Sequence, residues 1–333
     1  MTVPGKTIGS EMAAAIAQHK ELQKADGGVP NSLVENRLQQ DRLAPFWAEG
    51  APHVATIRDF SIPLPTGPIE ARFYHPDAAR HKPVILFLHG GGWARGTIAT
   101  GEWACRALAA ETGFAVVSLA YSLAPDRPFP AALNDISAAM DWCFANVEEV
   151  PFDGRHIFLT GTSAGANLSL AVALARRDEG KPLPIGLGLL YGPFDDNLET
   201  GSYKKYGPGQ YGLSRARMAQ YFDWYVPDGT QSSHPLISPI NADLTGLPPV
   251  FLGIAEFDVL RDDSFQLAGR LVAANVPTEA KHYVDLAHGY AMYARMVPSA
   301  RSALSDTAHF FRETARSTKK AFLEVAETWG SMP

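Results

Sequence analysis

His156-Ile157-Phe158-Leu159-Thr160-Gly161-Thr162-Ser163-Ala164-Gly165-Ala166 is the stretch on which the fold turns. Its apolar start reads as a buried strand over 156–160, and an alanine-rich segment of helical period follows over 164–177. Between them Gly161-Thr162-Ser163-Ala164-Gly165 fits G-x-S-x-G, a sharp strand-to-helix turn that holds a serine hydroxyl above a sheet. The two glycines leave room for neighbouring backbone, and Ala164 and Ala166 let the helix lie close. The pentapeptide alone is a weak signal; its place directly after a buried strand gives it weight.

Upstream, the run Pro83-Val84-Ile85-Leu86-Phe87-Leu88 ends in His89-Gly90-Gly91-Gly92-Trp93. A glycine-rich string after a strand is ordinarily a turn. Here it also supplies bare backbone whose N–H groups can approach a ligand closely. Such donors stabilise an oxyanion, which points to acyl chemistry once a serine elbow is present. The expected donors are the N–H groups of Gly91, Gly92 and Ala164.

A serine hydroxyl needs a base, and the base needs an orienting group. Four histidines follow the elbow. His234 sits beside a proline in an irregular region, His282 lies inside a strand pattern and His309 in a terminal helix. His288 follows the last strand, at the carboxyl edge where open α/β sheets bind ligands. For the acid, Asp258 lies just past the strand 249–255, with Glu256 as the alternative. Asp262 and Asp263 read as charges at a helix start. A buried acid would hold the His288 tautomer during proton transfer.

Working outward, strands are expected at 55–62, 69–74, 83–89, 114–120, 156–160, 185–191, 249–255 and 279–284. Helical periods fall at 103–112, 131–147, 164–177, 262–275 and 300–326. Buried strands alternating with helices predict an α/β class: a mostly parallel eight-stranded sheet flanked by helices. Two regions break the alternation, the polar, helix-like residues 1–50 and the Tyr-, Gly- and Pro-rich residues 195–246. An insertion of that length is a lid or a surface excursion.

With 333 residues and 46% apolar content, the chain can bury a large core. A net charge of −6 without a basic block argues against a nucleic-acid groove or an anionic membrane surface. Cys105 and Cys143 lack metal-ligand spacing and read as small core residues. Residues 1–20 hold no apolar h-region, so a cytoplasmic protein is expected. Gly207-Pro208-Gly209-Gln210-Tyr211-Gly212 fits G-x-G-x-x-G but follows Tyr203-Lys204-Lys205-Tyr206 rather than a strand, and so does not read as a dinucleotide site. No metal or cofactor motif stands out.

His89-Gly90-Gly91-Gly92, then Tyr121-Ser122-Leu123-Ala124-Pro125-Asp126-Arg127-Pro128-Phe129-Pro130-Ala131-Ala132, then the elbow, then Asp258-Val259-Leu260-Arg261-Asp262 and His288-Gly289-Tyr290 resemble the bacterial hormone-sensitive-lipase-like (family IV) esterases. The resemblance spans residues 83–290, and Thr162 suggests the subgroup with threonine before the serine. It implies an α/β-hydrolase fold with a helical cap, divided as 1–50 (cap helices), 51–194 and 247–333 (catalytic domain) and 195–246 (cap insertion). It further implies a cofactor-free carboxylic ester hydrolase acting on short- to medium-chain esters through an acyl-enzyme. Ser163, Asp258 and His288 would form the triad, with His89 a brace. Family dimers commonly use an edge strand, here 279–284. Departures are Ser122 for Arg, Asp126 for Glu, Ala166 for Gly and Val259 for Pro.

The cluster Tyr203, Tyr206, Tyr211, Tyr221, Phe222, Trp224 and Tyr225 reads as cap packing. Trp93, Tyr191 and Tyr211 are the pocket-lining candidates. An amidase or deacetylase on the same triad is the competing activity. A non-catalytic binding protein is disfavoured by the intact Ser163, Asp258 and His288.

Overall fold

The computed structural model of the chain describes residues 7–77, 82–146 and 152–330, with side chains through residue 318. Its centre is one sheet of β1 (Thr56–Ile62), β2 (Ile69–His75), β3 (Pro83–Leu88), β4 (Ala115–Leu119), β5 (Asp153–Thr162), β6 (Gly186–Leu190), β7 (Val250–Phe257) and β8 (Thr278–Ala287). The spatial order is β1-β2-β4-β3-β5-β6-β7-β8. β2 runs antiparallel to both neighbours, and all pairs from β4 to β8 are parallel. This is the mostly parallel sheet that the strand pattern predicts, in the α/β-hydrolase arrangement that the family resemblance implies. β4, β6 and β7 are buried along their whole length, which is why they read as unbroken apolar runs. β5 extends beyond its apolar run at both ends, because its pairing with β3 and β6 continues through Gly161 and Thr162.

The helices are α1 (Ser10–Ala25), α2 (Leu33–Ala48), α3 (Glu102–Thr112), α4 (Ala131–Ala145), α5 (Ala164–Asp178), α6 (Gly201–Tyr206), α7 (Arg215–Tyr225), α8 (Arg261–Ala273) and α9 (Pro298–Gly330). Val147, which the helical period reached, lies outside the described residues, as do the ends 1–6 and 331–333. Cys105 and Cys143 are free and buried. Among the described residues, no helix is long and apolar enough to cross a membrane.

Parallel register decides where chemistry can occur. Leu88 pairs with Gly161, Thr162 with Leu190, Leu190 with Gly253, and Phe257 with Ala287. The strands therefore end together, and the loops opening at His89, Ser163, Tyr191, Asp258 and His288 emerge at one edge.

Over that edge lie α1, α2 and the segment 195–246 with α6 and α7. Side-chain clamps hold α2 there. Arg37 donates to the carbonyls of Ala94 and Ala124 and pairs with Asp126 at 2.7 Å. Gln40 accepts from the Gly96 N–H, and Asp41 from the Thr97 hydroxyl. Arg295, just past β8, donates to the Phe46 carbonyl.

Candidate active site

The elbow is made by backbone packed on backbone. Ser163 sits at φ 52°, ψ −119°, a sparsely populated conformation for a residue with a side chain. Its N–H donates to the Leu190 carbonyl, and its own carbonyl starts α5 by accepting from Ala166 and Asn167. A Cβ on Gly165 would stand 2.0 Å from the Leu88 carbonyl oxygen, and one on Gly161 2.3 Å from the Gly165 carbonyl carbon. No side chain fits at either position. The close approach carries β3, and the glycine loop after it, directly beside the serine.

His288 bridges the other two residues. Its Nε2 lies 3.0 Å from Ser163 Oγ, and its Nδ1 lies 2.7 Å from Asp258 Oδ2. Asp258 is almost fully buried, and its Oδ1 accepts from the Leu260 N–H, which fixes the carboxylate plane. Glu256, the alternative acid, engages other groups: the Tyr206 hydroxyl, Arg261 at 3.0 Å and His282 at 2.9 Å. Asp263 lies in the first turn of α8, where the sequence places it, but not in solvent. It is wholly buried and accepts from the N–H groups of Phe194 and Asp195, and burial with the nearby Asp195 pushes its carboxyl well above the usual range.

The glycine loop turns on itself, with the N–H groups of Ala94 and Arg95 both donating to the Gly91 carbonyl. Gly91 and Gly92 have φ 133° and 62°, the region that favours glycine. Among the described residues, the N–H groups of Gly91, Gly92 and Ala164 donate to no protein acceptor. His89 points away from this work. Its ring stacks on Tyr121 at 4.4 Å, Tyr121 Oη donates to its carbonyl, and burial holds its imidazole down to about 4.

A cavity of about 450 Å³ opens above Ser163 and His288. Its walls come from α1 and α2, the glycine loop, Thr162, Tyr191, residues 212–214 with Arg217 and Tyr221, and the loop 288–293. Tyr191 presents its ring edge-on to His288 at 5.1 Å. Trp93 and Tyr211, expected in the pocket, lie outside the lining of this cavity. Trp93 has φ 56°, which turns its indole back to stack on Tyr225 at 4.5 Å and to donate to Asn167. Tyr211 packs on Phe257 and Tyr206 instead. Sequence reading missed Asn167, whose amide also donates to the carbonyls of Pro193 and Ile237 and so ties elbow helix, glycine loop and insertion together. It also passed over the polar wall of Asn36, Gln39 and Arg95. For Asn36 and Gln39 the polar character of the N-terminal helices is the available signal; Arg95, in the loop after the glycines, has none. Among the described residues, no cluster of three or more His, Cys, Asp or Glu side chains could hold a metal ion.

A family described as alpha/beta hydrolase fold matches residues 85–292. Carboxylesterase NlhH of Mycobacterium tuberculosis is 38% identical over 241 residues, which is 71% of this chain and 75% of that protein. Carboxylic ester hydrolase LipN of the same organism is 36% identical over 296 residues, 86% of this chain and 78% of its own. A hyperthermophilic esterase from the archaeon Pyrobaculum calidifontis superposes with a TM-score of 0.85 at 30% identity, covering 93% of this chain and 99% of that one. Sequence motifs, sheet order and these relatives agree: the chain belongs to the bacterial hormone-sensitive-lipase-like carboxylesterases of the α/β-hydrolase fold.

Proposed function

We propose that the protein, as a carboxylic ester hydrolase, cleaves short- to medium-chain esters through an acyl-enzyme on Ser163. The observation that carries this reading is the continuous hydrogen-bonded line from Asp258 through His288 to Ser163 Oγ. Ser163 Oγ attacks the ester carbonyl while His288 Nε2 takes its proton. Asp258 holds the Nδ1–H and stabilises the imidazolium. The N–H groups of Gly91, Gly92 and Ala164 receive the developing oxyanion, each such donor being worth about 10²–10³ in rate. His288 then returns the proton to the leaving alcohol. A water, activated by the same base, releases the acid.

In this reading residues 1–50 and 195–246 act as the cap, and acyl and alcohol preferences live in the cavity they roof. The cavity's modest size supports short acyl chains. A homodimer through β8 belongs to the same proposal, supported by its place at the end of the sheet and by Val284, 55% exposed upon it; sedimentation at monomer mass would remove it. The activity is tested with a series of esters of rising acyl length and matched amides, against Ser163→Ala as blank. Ester turnover should fall beyond medium chain length and far exceed amide turnover. Amide turnover equal to that of the matched ester would sink the assignment.

A further inference from the structure

The wall that α1 and α2 contribute to the cavity sets hydrogen-bonding side chains, His19, Lys20 and Asn36, among apolar ones such as Ile16, Leu43 and Ala44. Arg95, two residues beyond Trp93, lines it with its guanidinium lying over the Tyr221 ring, Cζ 5.3 Å from the ring centre. Arg95 Nη1 donates to Asn36 Oδ1 at 2.7 Å. Its Nε is buried without a partner, and among the described residues no carboxylate pairs with this guanidinium. A cation set into a cavity wall without a counter-ion is costly, and natural folds ordinarily pair it.

The neighbours sharpen the pattern. An arginine can only donate, so the Asn36 amide presents its oxygen to Arg95 and keeps its N–H₂ as a donor. Trp47 Nε1 likewise can only donate; it lies 3.2 Å from His19 Nδ1. Burial, and after it the charge of Arg95, hold the His19 imidazole down to about 4, so the ring is neutral near pH 7. Its one proton therefore sits on Nε2, a further donor. Asn36 and His19 both line the cavity. Lys20 and Arg217 add positive charge to the lining. The single acidic liner, Glu102, is engaged by Arg72 and the Tyr74 hydroxyl. A chain of net charge −6 has thus gathered cations and donors at the one cavity that holds Ser163.

We propose that the ester favoured by this site carries a carboxylate, bound against Arg95 with the N–H groups of Asn36 and His19. This rests on the hydrolase reading above and adds a substrate class to it: half-esters of dicarboxylic acids, or esters whose alcohol portion bears a carboxylate. A guanidinium–carboxylate contact is among the strong charge-assisted pairs. Its loss would lower kcat/KM about 10- to 100-fold.

Two matched pairs test it: monoethyl glutarate against ethyl pentanoate for the acyl side, and 4-acetoxybutanoate against butyl acetate for the alcohol side. The readout is the carboxylate-to-neutral ratio of kcat/KM. The wild-type ratio should exceed about 10 in one pair, which identifies the side, and Arg95→Gln should reduce it about 10- to 100-fold, mainly through KM. A ratio near or below one in both pairs, or one that Arg95→Gln leaves within threefold, overturns the proposal. Equal loss on both partners leaves the ratio unchanged and so counts against it. Calorimetry of glutarate and of its neutral diamide with Ser163→Ala protein repeats the test without turnover and without altering Arg95. Glutarate should bind at least tenfold more tightly; equal binding overturns the proposal. Failure of the hydrolase reading looks different: neutral esters would be cleaved as well by Ser163→Ala as by the wild type.

Discussion

The elbow and the proposed cap face each other across one cavity, yet they are held by different means. At the elbow, backbone touches backbone, and glycines at 161 and 165 are the only residues that fit the gap. At the cap, long polar side chains span the gap: Arg37 and Gln40 from α2, and Asn167 from α5. A backbone contact of this kind fixes the reacting atoms and tolerates no substitution. A side-chain clamp fixes a wall while leaving the residues between the clamps free to change. Under the proposed function, catalytic geometry and substrate choice are thereby separated within one cavity.

The largest effect expected lies on the elbow side. Ser163→Ala removes the nucleophile without adding an atom, so kcat/KM for esters should fall by about 10⁴-fold or more. Circular dichroism and melting should match the wild type. Activity above that level would break the assignment. Gly165→Ala asks whether the close approach is obligatory. Its Cβ would press on the carbonyls of Leu88 and His89, which cannot yield without moving β3. A loss of about 3 kcal/mol or more in urea unfolding, or no folded protein, is expected. A variant as stable and active as the wild type would show that the elbow can relax.

The corresponding probe of the cap is Arg37→Ala. It leaves the Ala94 and Ala124 carbonyls without their donor, so a cost of about 2 kcal/mol is expected. Because Ala94 follows the glycine loop, kcat should also drop several-fold. A change in stability with kcat intact would show that the loop keeps its shape without α2.

The same contrast governs what could be read from the residues alone. The inner strands β3 to β7 announce themselves by apolar runs, whereas β1, β2 and β8 mix polar with apolar residues. The order of strands and helices lets the loop positions of Ser163, Asp258 and His288 be placed at one edge from the sequence. The elbow is legible because its constraint is local: only small residues satisfy it. The cap wall is not, because pairing between Arg95 and Asn36, 59 positions apart, leaves no trace in local period or propensity. Trp93 shows the limit within one loop. Its position beside the glycines suggested a pocket wall, but the direction of its ring depends on φ 56°, which no pattern of residue types reveals. Asp263 is similar, since a carboxylate at a helix start looks the same in sequence whether exposed or enclosed.

The smallest expected effect compares the regions through their buried histidines. His89 beside the elbow and His19 in α1 are both held down to about 4, chiefly by burial. For a histidine with an unfolded value near 6.5, the unfolded chain binds more protons between pH 6.5 and 4. The stabilisation is therefore fully present above pH 6.5 and lost as pH falls toward 4. For His19 the loss amounts to about 1 kcal/mol between pH 7.5 and 5.5. Asp263, raised by burial, has the opposite sign, since its contribution fades as pH rises. It is common to wild type and variant and cancels in their difference. The stability of wild type minus that of His19→Gln should thus shrink by about 1 kcal/mol over this interval in urea titrations. Parallel curves would mean that His19 is solvated, and that α1 closes the cavity less tightly than the elbow closes the sheet. If α1 instead releases before the sheet unfolds, the His19 share moves to that earlier transition while the share of His89 stays with global unfolding.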